Sequence, residues 1–204
     1  MNSLIARLSR MFYLPLSLVV VLVVLSSCSG GASTTAAPPV WKNYQGSAFT
    51  LSYLSNWEVA TKDVYLGTRY PQLEMLQGMA FVKQANAITF LQVAYAGRTS
   101  SAVSAKGIML KFLLGSSSHP AAPSSLSQTT LAGETWFQGT VEKQVSQGNG
   151  SPLSVKETAL GIDRTISSNK TEIYLIFYQD AASTYSQNVQ NFFTRMVKSF
   201  QFVS

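Results

Sequence analysis

Apolar residues follow three arrangements along this chain, and each predicts a different element. Met11 to Leu25 is a nearly unbroken apolar run, interrupted only by Pro15 and Ser17. Phe49-Thr-Leu-Ser-Tyr53 alternates apolar and polar positions, the period of a half-buried strand. Tyr185, Val189, Phe192, Phe193, Met196, Val197 and Phe200 recur at three- and four-residue intervals, the stripe of a helix lying on a core.

The strand period returns repeatedly. Trp57-Glu58-Val59 resumes it after Ser55-Asn56, which is turn chemistry, so a strand pair or strand-turn unit is expected. Met79 to Lys83 and Ala87 to Tyr95 read as strands. In the second, Ile88 and Phe90 point one way and Leu91 and Val93 the other, so both faces are covered. Val64 to Gly78, broken by Gly67 and Pro71, supports no single element. Leu126 to Leu131, Glu134 to Val145, Leu153 to Ile162 and Lys170 to Tyr178 form four further strands. The breaks at Gly133, Gly148-Asn149-Gly150 and Ser167-Ser168-Asn169 are short, which implies antiparallel hairpins. Ile173 to Tyr178 is again apolar on both faces.

Two helices complete the pattern. Ser100 to Leu114 has helical character, with Ser100 or Ser101 as cap and Gly115 as stop. Gly107 weakens it by up to about 1 kcal/mol relative to alanine. Ser183 to Ser199 carries the aromatic stripe, with Ser183 as cap and Lys198 suited to the C-terminal dipole. One antiparallel sheet with covered central strands, plus helices, implies a layered α+β sandwich.

The first apolar run has another meaning. Basic Arg7 and Arg10 precede it and the small Ser26-Ser27 follow it, the plan of a secretory signal peptide. A membrane span needs about 20 apolar residues, more than this run supplies. Leu25-Ser26-Ser27-Cys28 resembles the bacterial lipobox, in which the cysteine receives the lipid, palmitate among its acyl chains. The expected organisation is a signal peptide over 1–27, a flexible tether over 28–40 and a domain over 41–204. Ser29 to Pro39 is small and Pro/Gly-rich, so it cannot bury apolar area. The expected location is the extracytoplasmic surface of a cell membrane, with Cys28 as the lipidation site. Cys28 is the only cysteine, which excludes a disulfide within the chain.

Charge narrows the partners. The formal net charge is +6 and only 12% of residues are charged, against about 25% in ordinary domains. Lys42, Lys62, Arg69, Lys83, Arg98, Lys106 and Lys111 are scattered, so no nucleic-acid footprint forms.

Two ends of the domain resemble a known family. Phe49-Thr-Leu-Ser-Tyr53 is followed by Ser55-Asn56-Trp57-Glu58-Val59. Tyr174-Leu-Ile-Phe-Tyr178 is followed by the helix and then Met196-Val-Lys-Ser199-Phe200-Gln-Phe202. These segments resemble the PsbP-like proteins, including bacterial lipoproteins of the LpqN kind. Leu54 stands where that family usually has proline. The resemblance implies an α/β/α sandwich that binds or supports partners, and it carries over no site residue.

Candidate chemistry is sparse. His119, the single histidine, lies in the irregular Ser116-Ser-Ser-His119-Pro120 and reads as an exposed loop residue. No G-x-S-x-G elbow positions a nucleophile. One histidine and one lipidated cysteine cannot supply a zinc site. Pairs such as Glu58/Asp63 and Glu157/Asp163 are too sparse for calcium. Gly148-Asn149-Gly150-Ser151 lacks the following lysine and helix of a phosphate loop, so it reads as a hairpin turn. Glu134, Glu142, Glu157 and Glu172 lie on expected strands and should face solvent. No catalytic, cofactor-binding or metal residue is therefore assigned. The leading expectation is a non-enzymatic envelope protein that binds or supports an envelope protein or a small ligand. The alternatives are a hydrolase using dispersed acidic residues or His119, and an apolar-ligand carrier with a cavity lined by Phe90, Phe192 or Phe193. A cleft gathering tyrosine, tryptophan and charges would favour binding or catalysis, and a filled sandwich would favour an interaction surface.

Overall fold

Alternation becomes strands at each segment where it was strongest, and the helical stripe becomes a helix. The computed structural model describes residues 38–61, 77–83, 88–98, 100–114, 126–146 and 151–203. Cys28, His119 and Gly148-Asn149-Gly150 lie outside the described residues.

The chain opens with β1 (Trp41–Gln45), β2 (Phe49–Leu54), β3 (Trp57–Thr61), β4 (Gln77–Lys83) and β5 (Phe90–Arg98). Helix α1 (Ala105–Leu114) follows. Strands β6 (Ser127–Leu131), β7 (Glu134–Ser146), β8 (Pro152–Ser167) and β9 (Lys170–Ala181) then run as consecutive antiparallel partners. A continuous helix, α2, joins an α-turn over Tyr185–Asn188, a π-turn over Val189–Phe193 and an α-turn over Thr194–Lys198. Strand β10 (Gln201–Phe202) completes the described chain.

The α+β architecture stands, with a correction to its sheets. The main sheet has seven strands in the order β3-β4-β5-β9-β8-β7-β6. A second sheet of three strands has the order β1-β2-β10. Of the two forms expected across Ser55-Asn56, the strand-turn unit is present and the strand pair is not, because the turn passes the chain from the small sheet to the large one. Local alternation specifies a strand but not its neighbour, which is set by long-range packing.

Alternation along β9 separates two cores. Ile173, Leu175 and Phe177 point to α1 and join Ala94, Ile108, Met109 and Leu113. Tyr174, Ile176 and Tyr178 point the other way, to α2 and the small sheet, and join Phe49, Trp57, Trp136, Phe193 and Phe200. Fully burying one such aromatic is worth about 1.5–3 kcal/mol. The π-turn matters for the second core. Its wider winding reduces the angle between neighbouring side chains, and both Phe192 and Phe193 are buried there. Trp57 meets both rings edge-on, at centroid distances of 5.1 and 6.0 Å.

Side-chain caps fix where the helices sit. Ser104 Oγ accepts a hydrogen bond from Gly107 N at 3.1 Å, so Ser104 caps α1, in place of the expected Ser100 or Ser101. Ser100 Oγ instead accepts from Ala102 N in the preceding turn. Asp163 on β8 also accepts from Ala105 N and pairs with Arg98 at 2.9 Å, which ties the start of α1 to the sheet. Gly161 permits this approach: a Cβ there would lie 3.3 Å from the Ala105 carbonyl oxygen. Ser183 does not cap α2. The residue before the helix is Thr184, whose hydroxyl donates to Asp180 at 3.0 Å. At the other end, Ser199 Oγ accepts from Ser52 N at 2.8 Å and donates to Met196 O, pinning α2 to β2.

Candidate functional site

A polar row crosses four strands at one end of the main sheet. Gln77 on β4 is in register with Tyr95 on β5, and Tyr95 with Tyr174 on β9. Glu172 on β9 is in register with Arg164 on β8. By alternation all five point to the face that carries Tyr174 and the small sheet. The turn residues Ser47 and Ala48, together with Val203, form the opposite wall. The space between is an open cleft of about 600 Å³. An irregularity between Thr165 and Ser167 interrupts the β8–β9 ladder, and exposed Ile166 lines the cleft there. Such irregularities re-aim side chains at sheet rims.

The cleft's polar groups are connected. The Tyr95 and Tyr174 rings stack at 5.9 Å. Tyr95 donates to Gln77 Oε1, and its hydroxyl lies 3.5 Å from Ser47 Oγ. Tyr174 donates to Glu172 Oε2 at 3.0 Å, and Lys170 pairs with Glu172 Oε1 at 2.9 Å. Burial pushes the Tyr174 phenol up, and its hydrogen bond to the Glu172 carboxylate adds to this. Burial also raises the Glu172 carboxyl. Hydrogen bonds from Lys170 and Tyr174, with the charges of Lys170 and Arg164, outweigh that effect and hold it below its ordinary value. The Arg164 guanidinium lies over the Phe202 ring, its Cζ 4.2 Å from the centroid.

Two other places carry polar or apolar features. A smaller cavity of about 250 Å³ lies between β6 and α2, lined by Leu131, Leu160, Tyr178, Val189, Phe193 and Val197. On the α1 face, Lys143 on β7 pairs with Glu157 on β8. Glu157 is 1% exposed, which corrects the expectation that it faces solvent. Its strand position falls on the covered α1 side. Glu134 and Glu142 are exposed as expected, and Glu172 is half-buried in the cleft.

Of the three phenylalanines named for a carrier cavity, one lines a cavity. Phe193 lines the small cavity and Phe192 lies in the same core. Phe90 belongs to the opposite strand face, by alternation with Ala94 and Ala96 of the α1 core. The three phenylalanines therefore do not line one cavity. Sequence reasoning missed Gln77, Tyr95, Arg164, Lys170 and Tyr174. Their assembly depends on register across strands far apart in the chain. The available signal was two tyrosines at inward strand positions, which core packing explains equally well.

Among the described residues, no group of three His, Cys, Asp or Glu could hold a metal ion. Among the same residues, no helix is long and apolar enough to cross a membrane.

No protein-family model matches the chain. No curated protein matches it in sequence. The chain is similar to a solved structure titled as the crystal structure of LpqN involved in cell envelope biogenesis of Mycobacterium tuberculosis. The TM-score is 0.47 at 12% identity, over 81% of this chain and 91% of that one. A likeness at that level carries no argument about activity, and the fold class rests on the strand order and layers above.

Proposed function

We propose that this is a lipid-anchored binding protein of the bacterial cell envelope, taking a small polar ligand in the cleft between the main sheet and the small one. The cleft carries this reading. At about 600 Å³ it falls within the range of small-molecule sites, roughly 300–1,000 Å³. Its hydroxyl, amide and charged groups converge from four strands and one turn.

Binding is favoured over hydrolysis by the state of the cleft's reactive groups. Both Glu172 oxygens are engaged, and the Tyr174 proton is held by a carboxylate. A carboxyl held below its ordinary value is a weak general base, and a phenol pushed up keeps its proton and is a weak nucleophile. The hydrolase alternative through His119 draws on a residue outside the described part of the chain. The apolar-carrier alternative draws on the 250 Å³ cavity beside Phe193, which is below the usual ligand range.

Anchoring rests on the leader with Arg7 and Arg10, the apolar run and Cys28. Two acyl chains hold a protein on a bilayer stably. The domain limits of 1–27, 28–40 and 41–204 belong to the same proposal.

The test uses the full chain expressed in a bacterial host. Metabolic labelling with an alkyne fatty acid should mark the protein and be lost in Cys28→Ser, which should also leave the membrane fraction. Native mass spectrometry of the micellar protein should show a bound small molecule that is lost in Tyr95→Ala. An unlabelled protein would overturn the anchor. A ligand-free cleft after exposure to host small-molecule extract would overturn the binding reading.

A further inference from the structure

Within the cleft, Arg164 is held differently from the other charges. Its guanidinium carbon lies over the Phe202 ring, 4.2 Å from the centroid. Phe202 is itself fixed by the β10–β2 pairing and by edge contacts with Tyr174 and Phe200. A guanidinium resting over a ring face keeps N–H donors for other partners. The neighbouring carboxylate does not use those donors. Glu172 accepts from Tyr174 through one oxygen and pairs with Lys170 through the other. Among the described residues, Arg164 forms no ion pair.

The rest of the cleft supplies further hydrogen-bond donors. Gln77 accepts from Tyr95 through Oε1, and its side-chain amide supplies N–H donors. Ser47 adds a hydroxyl. Lys170 balances Glu172, so the three charged side chains Arg164, Lys170 and Glu172 leave one net positive charge. Planar oxyanions fit a fixed guanidinium edge through two parallel hydrogen bonds.

We infer that the cleft recognises an oxyanion, a carboxylate or phosphate group of its ligand, through the Arg164 guanidinium with donors from Gln77 and Ser47. The inference rests on the proposed binding role and names the chemistry that role requires. The oxyanion can come from a soluble metabolite or from a lipid headgroup, because both present the same group to Arg164.

Calorimetric titration of the full chain in neutral-detergent micelles at low ionic strength tests this. The probes are inorganic phosphate, succinate, glucose, dihexanoyl phosphatidylglycerol and dihexanoyl phosphatidylcholine. At least one anionic probe should bind more tightly than glucose and phosphatidylcholine, and added salt should weaken it. Phosphatidylglycerol alone would identify a headgroup, and phosphate or succinate a soluble ligand. Arg164→Gln and Arg164→Lys should each weaken binding by about tenfold or more, since a lysine cannot reproduce the two parallel bonds. Lys42→Gln, on exposed β1, should change it by less than about twofold. If Arg164→Gln unfolds early, Arg164→Lys decides: unchanged affinity in it overturns the inference. Equal weakening by Arg164→Gln and Lys42→Gln also overturns it, as does tighter binding of glucose than of any anion. A neutral extract ligand that depends on Tyr95, with no anion bound, would end this inference and leave the binding role standing.

Discussion

Lys143 and Glu157 form an ion pair inside the protein, one strand apart on the face covered by α1. Their side chains are 10% and 1% exposed. The Lys143 ammonium also lies 5.5 Å from the centre of the Phe112 ring. Among the described residues, one Glu157 oxygen, Oε1, has no hydrogen-bond partner. The pair therefore fixes two charges in a core without fully satisfying them, and such pairs add little net stability while being costly to break.

Removing the lysine alone should leave a buried carboxylate without its counter-charge. Lys143→Met is expected to lower unfolding stability by about 3–5 kcal/mol. Adding Glu157→Leu should recover most of that loss. Urea unfolding of both variants measures the difference.

Stability should also depend on pH through Glu157. Burial raises its carboxyl above the ordinary value, and the charge and hydrogen bond of Lys143 only partly offset this. The folded protein then holds the proton more tightly than the unfolded chain does. This contribution is fully present below the ordinary glutamate value and is lost as pH rises through the raised folded value. Glu172 acts oppositely, since its value is lowered, and its contribution is lost as pH falls below the ordinary range. Comparing Glu157→Gln with the unchanged protein should remove a decline on the side above the ordinary value. Parallel stability curves for the two would refute this.

The β6–β7 turn offers a gain. Ala132 has φ 52° and Gly133 has φ 79°, so both central residues are left-handed. That is the geometry of a two-residue hairpin turn favouring Asn-Gly. An alanine Cβ there costs about 1–2 kcal/mol. Ala132→Asn should raise stability by about 0.5–1 kcal/mol, read from the midpoint of denaturant unfolding.

Asp163 should matter more than its partial exposure suggests. It receives the backbone N–H of Ala105 and pairs with Arg98, which in turn donates to Val103 O at 3.1 Å. Asp163→Ala is expected to cost about 1–2 kcal/mol. Amide exchange should speed up first at the start of α1, whereas uniform loss of protection across the sheet would count against a capping role.

Much of this fold was legible because two-residue alternation and the helical stripe are local signals. Ile173 to Tyr178 reads as a strand covered on both faces, and its neighbours supply two cores. The Trp57 segment shows the limit. Its strand is evident, but its partner is β4 rather than β2, since pairing depends on residues far away. Glu157 shows a related limit. Polar residues on a strand are expected to face water, and only the layer above shows that α1 covers this one. The cleft was hidden altogether. Gln77, Tyr95, Arg164 and Tyr174 are spread over almost a hundred residues of chain, and the registers of four strands bring them together.

The small sheet has a consequence for the order of folding. β2 lies between β1 and β10, so its two neighbours come from opposite ends of the domain. Phe49 of β2 stacks on Phe200 at 5.6 Å and is in register with Phe202. A chain made from its N-terminus onward holds Phe49 early but lacks these partners until residue 202 has been added. During synthesis, β1 and β2 must wait as an open hairpin with a bare aromatic face. The second core, and the Arg164 wall of the cleft that leans on Phe202, can close only after residue 202 has been added.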